Sequence, residues 1–179
     1  KTAYEIKECD WSSDVCSSDL GLSGNGQVTM TDNGTQMFIA AGTYGYIYDD
    51  STNVLTELTT NFYGAVGCGF LDGWFVYNQP DSQIFWVMDS TGTTIDPLYF
   101  ASAEGSPDNL VTLIVDHREI WLFGQTSVEV WYDAGTPDFP MARIQGAFNE
   151  IGCLAAYSVA KLDNGLLDRK STRLNSSHI

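Results

Sequence analysis

The feature that most constrains this chain is a repeated pair of aspartates. In each copy, one aspartate precedes an apolar run and a second follows 17 residues later. The pairs are Asp32 with Asp49, Asp72 with Asp89, and Asp116 with Asp133. Successive copies are 40 and 44 residues apart, a period typical of four-stranded propeller blades. The repeat therefore predicts similar sheets that stack side by side.

The third copy shows the expected strands most clearly. Residues 120–123 are all apolar, which predicts a strand buried on both faces. Residues 128–132 alternate, which predicts a half-buried strand with Glu129 on the face opposite Val128 and Val130. A fully buried strand beside a half-buried one is the pattern expected within a stacked sheet.

A proline-flanked segment completes this copy. Pro137 and Pro140 rule out a helix and predict an outer edge strand at residues 141–144. A further marker recurs at the presumed start of each outer strand, at Leu55, Ile95 and Phe139. Each copy is therefore expected to end on an outer strand.

Tight turns separate the first and second strands of the copies. Asn33-Gly34, Asp72-Gly73 and Asn164-Gly165 are pairs that readily adopt positive φ. The last pair belongs to a fourth copy, which begins at residues 159–165 with Asp163 as its marker. We therefore expect an all-β chain, a partial β-propeller of about three four-stranded antiparallel blades plus the start of a fourth. An ordinary antiparallel sandwich with similar hairpins is the alternative.

The repeat also sets the expected domain limits. Blades are predicted at about residues 24–60, 64–100 and 108–146, and the next one starts at 156–167. Residues 1–20 and 168–179 do not join the pattern and are similar to translated sequencing-adaptor readthrough. We expect both ends to be non-native or disordered, and we expect the body at 21–167 to be a fragment of a longer gene product, because propellers need about four to eight blades.

The body is strongly acidic. The chain has a net charge of −15, of which the two ends contribute −3 and +2, so the body carries −14. Its only lysines and arginines are Arg118, Arg143 and Lys161, too few for a patch that follows nucleic-acid phosphates. Direct nucleic-acid binding is therefore disfavoured, whereas a ring lined with negative charge would let a duplex slide without sticking.

Residue patterns for catalysis or metal binding are weak. His117 is the only histidine of the body and is expected in a turn, where hydrogen bonding or exposure is the simpler role. Cys68 and Cys153 lack Cys-x-x-Cys spacing and are expected to be buried thiols. Arg118 and Arg143 are expected to pair with acids such as Glu119, Glu129 or Glu150, within or between blades or between subunits. We expect no enzymatic activity, no cofactor and no metal.

One long segment is similar to a known family. Residues 116–124 read DHREIWLFG, and EVWY, FP and RIQGAF follow at 129–132, 139–140 and 143–148. This run resembles the phage stabilisation family, the packaged-DNA stabilisation proteins or tail accessory factors of short-tailed phages. The residues singled out by the resemblance as structural are Asp116, His117, Arg118, Glu119, Trp121, Gly124, Trp131, Tyr132, Phe139, Pro140, Arg143, Gln145 and Gly146.

The resemblance implies a virion structural protein of the phage tail or neck, assembled in the host cytoplasm. It implies a propeller that forms a ring, expected to be a hexamer, next to the portal adaptor, the tail needle and the tailspike. Such a ring continues the portal channel and retains packaged DNA without binding it specifically. A carbohydrate-binding or sialidase-like propeller is the alternative, since Asp32-Asn33-Gly34 with Phe38 resembles an Asp-box turn. No membrane partner is expected.

Overall fold

The computed structural model describes residues 22–24, 26–162 and 165–167. Three four-stranded antiparallel sheets and one two-stranded sheet make up this part of the chain. The first sheet contains β1 (Thr29–Asp32), β2 (Gln36–Ala41), β3 (Tyr44–Asp49) and β4 (Val54–Glu57). The second contains β5 (Cys68–Leu71), β6 (Trp74–Asn78), β7 (Ile84–Asp89) and β8 (Phe100–Ser102). The third contains β9 (Leu110–Asp116), β10 (Glu119–Gly124), β11 (Val128–Asp133) and β12 (Met141–Asn149), and the fourth pairs β13 (Ala160–Leu162) with β14 (Gly165–Leu167).

Each four-stranded sheet is a meander, in which strands that are consecutive in sequence are hydrogen-bonded neighbours. β1 contacts β5, and β5 contacts β9, so the first strands of successive sheets lie together. Later strands of each sheet lie progressively farther from this line of contact. This arrangement confirms the predicted partial β-propeller and excludes the sandwich. Among the described residues, no helix is long and apolar enough to cross a membrane.

Side chains along the strands of the second sheet point alternately to its two faces, and they fill the space between this sheet and the sheet on each side. Phe75 and Tyr77 point toward the first sheet, where Phe38 stacks on both with ring centroids 5.8 and 5.3 Å apart. Val76 and Phe85 point the other way and join the core between the second and third sheets. Because strand side chains alternate between faces, one apolar strand supplies both cores. This explains why the second strand of each copy is apolar along its length.

Two glycines allow the first strands of the second and third sheets to come close. A Cβ atom on Gly67 would lie 2.6 Å from Thr112 Oγ1 and 2.9 Å from the Leu113 nitrogen. A Cβ atom on Gly69 would lie 2.5 Å from Val115 Cγ2. Any larger residue at these positions would separate β5 from β9, because these distances are shorter than van der Waals contact.

The repeated aspartates do not occupy fully equivalent positions, although their spacing is constant. Asp32 and Asp116 end their strands, whereas Asp72 is the first turn residue after β5. In the third sheet the residue opposite the start of the second strand is Tyr132, whereas Asp89 holds that position in the second sheet. The hairpin between the second and third strands is shorter in the third copy, where Glu119 pairs with Tyr132, than in the second copy, where Trp74 pairs with Asp89. Each aspartate of the third copy therefore lies one residue farther from the paired position, so the spacing of 17 is preserved although the register differs.

Two expectations about individual strands were wrong. Neither Ile95 nor Phe139 starts an outer strand, because β8 begins at Phe100 and β12 begins at Met141. Ile95 lies in the preceding loop and is buried in the core between the first two sheets. The strand expected to be half-buried in the third sheet also differs from the prediction. Glu129 is 2% exposed, so residues 128–130 of β11 are buried on both faces, and β11 becomes partly exposed only from Trp131 onward.

The outer strand of the third sheet is longer than the segment predicted for it. β12 runs from Met141 to Asn149 and, with one neighbour, lies at the edge of its sheet, as expected. Its pairing with β11 is irregular between Glu129 and Trp131. Gln145 and Gly146, which lie between the two paired parts of β12, are exposed, and Gly146 has a φ of 84°. The edge strand therefore carries a bulge that faces solvent.

The fourth copy is described in part. β13 and β14 form the predicted first hairpin, but Asp163 and Asn164 lie outside the described residues. Residues 1–20 and 168–179 also lie outside them, so the proposed non-native ends and the exact blade limits stay predictions.

Candidate functional site

The residues singled out from the sequence lie in two separate regions. Asp116, His117, Arg118 and Glu119 lie at the turn between β9 and β10. Trp131, Phe139, Pro140 and Arg143 lie in or beside the outer strands β11 and β12. The remainder are spread along the third sheet: Trp121 and Gly124 on β10, Tyr132 on β11, and Gln145 and Gly146 at the bulge of β12. The structure therefore places most of the family-like residues in two regions: the turn between β9 and β10, and a network of side chains on the outer strands β11 and β12.

The outer-strand network is centred on the buried carboxylate of Glu129. Its Oε2 atom accepts a hydrogen bond from Trp131 Nε1 at 3.2 Å and lies 3.4 Å from Arg143 Nε. Its Oε1 atom accepts a hydrogen bond from the Gly105 nitrogen. The Arg143 guanidinium also lies over the Phe148 ring, 5.6 Å from its centroid. A charge this deeply buried is stable only when it is paired and hydrogen-bonded in this way.

Gly105 is part of the same network through its lack of a side chain. A Cβ atom there would lie 2.3 Å from Glu129 Oε1 and 2.6 Å from Arg143 Nη2. The loop between the second and third sheets therefore closes over the carboxylate only because residue 105 is glycine. The partner of Arg143 is one of the three acids expected from the sequence, whereas the role of Gly105 was not predicted.

A second network holds the β10–β11 hairpin. Asp108 Oδ2 accepts hydrogen bonds from the backbone nitrogens of Thr126 at 2.7 Å and Ser127 at 2.9 Å, and from both hydroxyls. Burial acts to raise the pKa of Asp108, but these hydrogen bonds outweigh it and hold the pKa below its ordinary value. Asp108 was not singled out from the sequence, because it lies outside the repeated markers.

The turns between the first and second strands share one end of the stacked sheets. We call this end, formed by residues 32–36, 72–73 and 117–118, the turn end. Each turn contacts the following sheet: Asn33 Nδ2 donates to the Ser90 oxygen at 3.0 Å. Arg118 Nη2 lies 2.8 Å from Asp72 Oδ2. The turn end therefore links each sheet to its neighbour.

The last of these links joins the third sheet to the fourth. Lys161 Nζ lies 3.3 Å from Asp116 Oδ1, and His117 Nδ1 lies 2.6 Å from Asp116 Oδ2. Partial burial acts to raise the pKa of Asp116, but the hydrogen bonds and charges of His117 and Lys161 lower it further than burial raises it. Asp116 therefore binds Lys161 and His117 as a carboxylate.

The partners of these links are about one repeat apart in sequence. Arg118 and Asp72 are 46 residues apart, and this partner is not one of the acids expected from the sequence. The period of the repeat could have identified Asp72 as the partner of Arg118, because residues one period apart lie in neighbouring turns. Links between copies could have been predicted by pairing opposite charges at that separation.

The turn at 117–118 is conformationally unusual. His117 and Arg118 have φ values of 48° and 64°, whereas the matching turn of the second sheet is formed by Asp72 and Gly73. A residue other than glycine in this left-handed region costs on the order of 1–2 kcal/mol. An exposed ion pair of the Arg118–Asp72 kind contributes about 0–1 kcal/mol. The ion pair alone therefore does not offset the conformational cost of this turn.

The second aspartate of each pair stabilises the turn that follows the third strand. The Oδ1 atoms of Asp49, Asp89 and Asp133 accept hydrogen bonds from the backbone nitrogens two residues later, at 2.9, 2.8 and 2.8 Å. At Asp49, hydrogen bonds from the Ser51 hydroxyl and the Thr52 nitrogen help lower the pKa to about 2. These aspartates recur because a short polar side chain is needed to satisfy each turn.

The first strands also border a cavity of about 450 Å³. It is lined by residues of β1, β5 and β9, including Asp32 and Cys68, and by Lys161 of β13. Burial raises the pKa of the Cys68 thiol to about 11, so the thiol is protonated and unreactive near neutral pH. Within the described residues, no cluster of histidine, cysteine, aspartate and glutamate side chains could hold a metal ion.

The stacked meanders, with their first strands together, define the chain as a β-propeller. A solved structure with a similar fold is the computationally designed Ika4 protein, with a TM-score of 0.53 and 15% identity over 82% of this chain and 88% of that one. The computationally designed Ika8 protein gives a TM-score of 0.52 at 15% identity, and this chain spans 44% of its length. At this identity the likeness shows the fold alone.

The family model described as "Bacteriophage P22 Gp10, beta-propeller" matches residues 4–167. The chain therefore belongs to the phage stabilisation family and has a structural, stabilising role in a phage particle. No curated protein sequence matches it.

Proposed function

We propose that this chain is a subunit of a ring in the neck or tail of a phage virion, where it continues the portal channel and retains the packaged DNA. The observation that carries this proposal is the family match along residues 4–167. In this proposal the ring is a hexamer that contacts the portal adaptor on one side and the tail needle and tailspike on the other. The protein acts as architecture and catalyses no reaction.

The charge of the body supports the part of the proposal that concerns DNA. The body carries a net charge of −14, and the aspartates of all three copies collect at the turn end because they follow the first and third strands. A surface of this sign repels phosphates. DNA would therefore pass through the ring without being held by specific contacts, and retention would depend on the closed assembly.

Loss of the gene tests this function directly. Phage that lack the protein are expected to fill their heads normally and then to lose DNA, because the exit channel is not closed. Nuclease-protected DNA per head, measured at intervals after lysis, should fall with time in the mutant and stay constant when the protein is supplied in trans. Heads that never fill, or that keep their DNA without the protein, would contradict the proposed function.

A further inference from the structure

The few cationic side chains of the body are unevenly distributed. Of its three lysines and arginines, Arg143 is half-buried against Glu129. The other two, Arg118 and Lys161, lie at the turn end with His117, the only histidine of the body. Their side chains are 80% exposed for Arg118, 59% for His117 and 54% for Lys161. A single cationic spot therefore stands on an otherwise acidic body.

The backbone at this spot indicates that the side chains matter for more than folding. Both His117 and Arg118 have positive φ, where Asn-Gly or Asp-Gly would be the favoured pair. The second sheet uses Asp72-Gly73 in the same turn. Residues held in unfavourable backbone conformations cluster at functional positions, where the side chain is needed despite the strain. The exposed Arg118–Asp72 ion pair alone does not offset that strain.

We propose that the His117–Arg118 turn is a contact between copies of this chain, in which it docks on acidic side chains of a neighbouring subunit. This inference rests on the proposed ring and names one of its contact surfaces. Charge complementarity identifies the occupant: Arg118 is 80% exposed and binds Asp72 through Nη2, so the rest of its guanidinium can bind a further carboxylate, and a second copy has an acidic body with a net charge of −14. The planar guanidinium of Arg118 suits a two-point contact with a carboxylate.

A nucleic-acid partner fits the same chemistry less well. The two cationic side chains at this spot, Arg118 and Lys161, are few for binding a duplex, whose affinity grows with the number of neutralised phosphates. The repulsion between whole acidic subunits is overcome only where opposite charges meet, so such a contact would also fix how the copies are oriented.

A double substitution separates this role from folding. His117→Asn with Arg118→Gly installs the pair that the turn favours and removes the imidazole and the guanidinium. The variant is expected to unfold at a temperature about 2–4 °C higher than the parent. Its dissociation constant for self-association is expected to rise at least about tenfold. Sedimentation velocity of the 179-residue chain over a range of concentrations, with thermal unfolding by circular dichroism, measures both.

The matched control is Asp72→Asn, which removes the partner of Arg118 within the chain and keeps both His117 and Arg118. It is expected to self-associate as well as the parent. Equal assembly of the parent and the double variant would overturn this inference and leave the ring intact. A parent that stays monomeric would overturn the inference and the ring, independently of the DNA-retention test. A lower unfolding temperature of the double variant, or duplex DNA binding lost with the two residues, would also overturn it.

Discussion

Glu129 is stable in the third sheet because every side of its carboxylate has a donor. Trp131 and Arg143 bind one oxygen and the Gly105 nitrogen binds the other. Glu129→Gln keeps the size of the side chain and removes the charge, which leaves the half-buried Arg143 guanidinium without its partner. The free energy of unfolding is expected to fall by about 3 kcal/mol. Urea titration followed by tryptophan fluorescence measures the change.

The matched control for this substitution is Glu119→Gln on the neighbouring strand. Glu119 is half-buried, and the described residues provide it with no ion pair. Its replacement is expected to change the free energy of unfolding by less than about 0.5 kcal/mol. Equal effects of the two substitutions would show that the Glu129 network does not stabilise the sheet.

Asp49 makes the stability of the folded state depend on pH. Its folded-state pKa of about 2 lies below the ordinary value of 3.8, so the carboxylate stabilises the folded state above pH 3.8. That contribution is lost as the pH falls from about 4 to 2. Asp49→Asn is expected to lower stability at neutral pH and to flatten the fall in stability across this range. The matched control is Asp50→Asn, which removes an equal charge and leaves the turn hydrogen bonds of Asp49 in place. An unchanged acid limb in Asp49→Asn would exclude this role.

At the scale of strands and turns, the sequence predicted what each copy contains. Apolar runs located the second strands, and Asp72-Gly73 located a two-residue turn, because both depend on residues close together in the chain. The links between copies were not predicted, since alternation and turn chemistry carry no information about the neighbouring sheet. The burial of Glu129 was not predicted either, because it depends on the outer strand of the same sheet and on the loop before the third sheet, which alternation along one strand does not describe.

The approach of β5 to β9 gives a prediction for these elements. Gly67→Ala would place its Cβ atom 2.6 Å from Thr112 Oγ1 and 2.9 Å from the Leu113 nitrogen. Because one of these atoms is backbone, the strands must separate, and the free energy of unfolding is expected to fall by about 1–3 kcal/mol. Gly92→Ala is the matched control, since its nearest atom would be the Asp89 oxygen at 3.6 Å. Chemical denaturation of both variants measures the difference, and equal stability would mean that the close approach is not required.

Over the part of the molecule that the structure describes, the apolar cores lie between neighbouring sheets and form a series. One core lies between the first and second sheets, the next between the second and third, and a smaller one between the third and the β13–β14 pair. The links at the turn end run in the same order. The body therefore has no central core, and its stability is expected to depend on each interface between neighbouring sheets.

The net negative charge of the body destabilises the stacked sheets through electrostatic repulsion. The body carries −14, whereas the described lysine and arginine residues form three ion pairs, two of them with a cation more than half exposed. Salt weakens both the repulsion and the exposed pairs, because the Debye length is about 10 Å at 0.1 M. Each exposed pair contributes about 0–1 kcal/mol, and unpaired acids outnumber the pairs, so relief of repulsion should dominate. The unfolding temperature is therefore expected to rise by several degrees between about 10 mM and 300 mM NaCl.

Thermal unfolding by circular dichroism at several NaCl concentrations measures this effect, and KCl distinguishes general screening from binding of a particular cation. Asp50→Lys provides the matched variant, since Asp50 is exposed in the turn after β3 and the substitution reduces the net charge by two. Its unfolding temperature should be higher than that of the parent at low salt and should rise less as salt is added. A parent whose unfolding temperature falls with salt would show that the ion pairs at the turn end outweigh the repulsion, because only attractive charge contacts are weakened by screening.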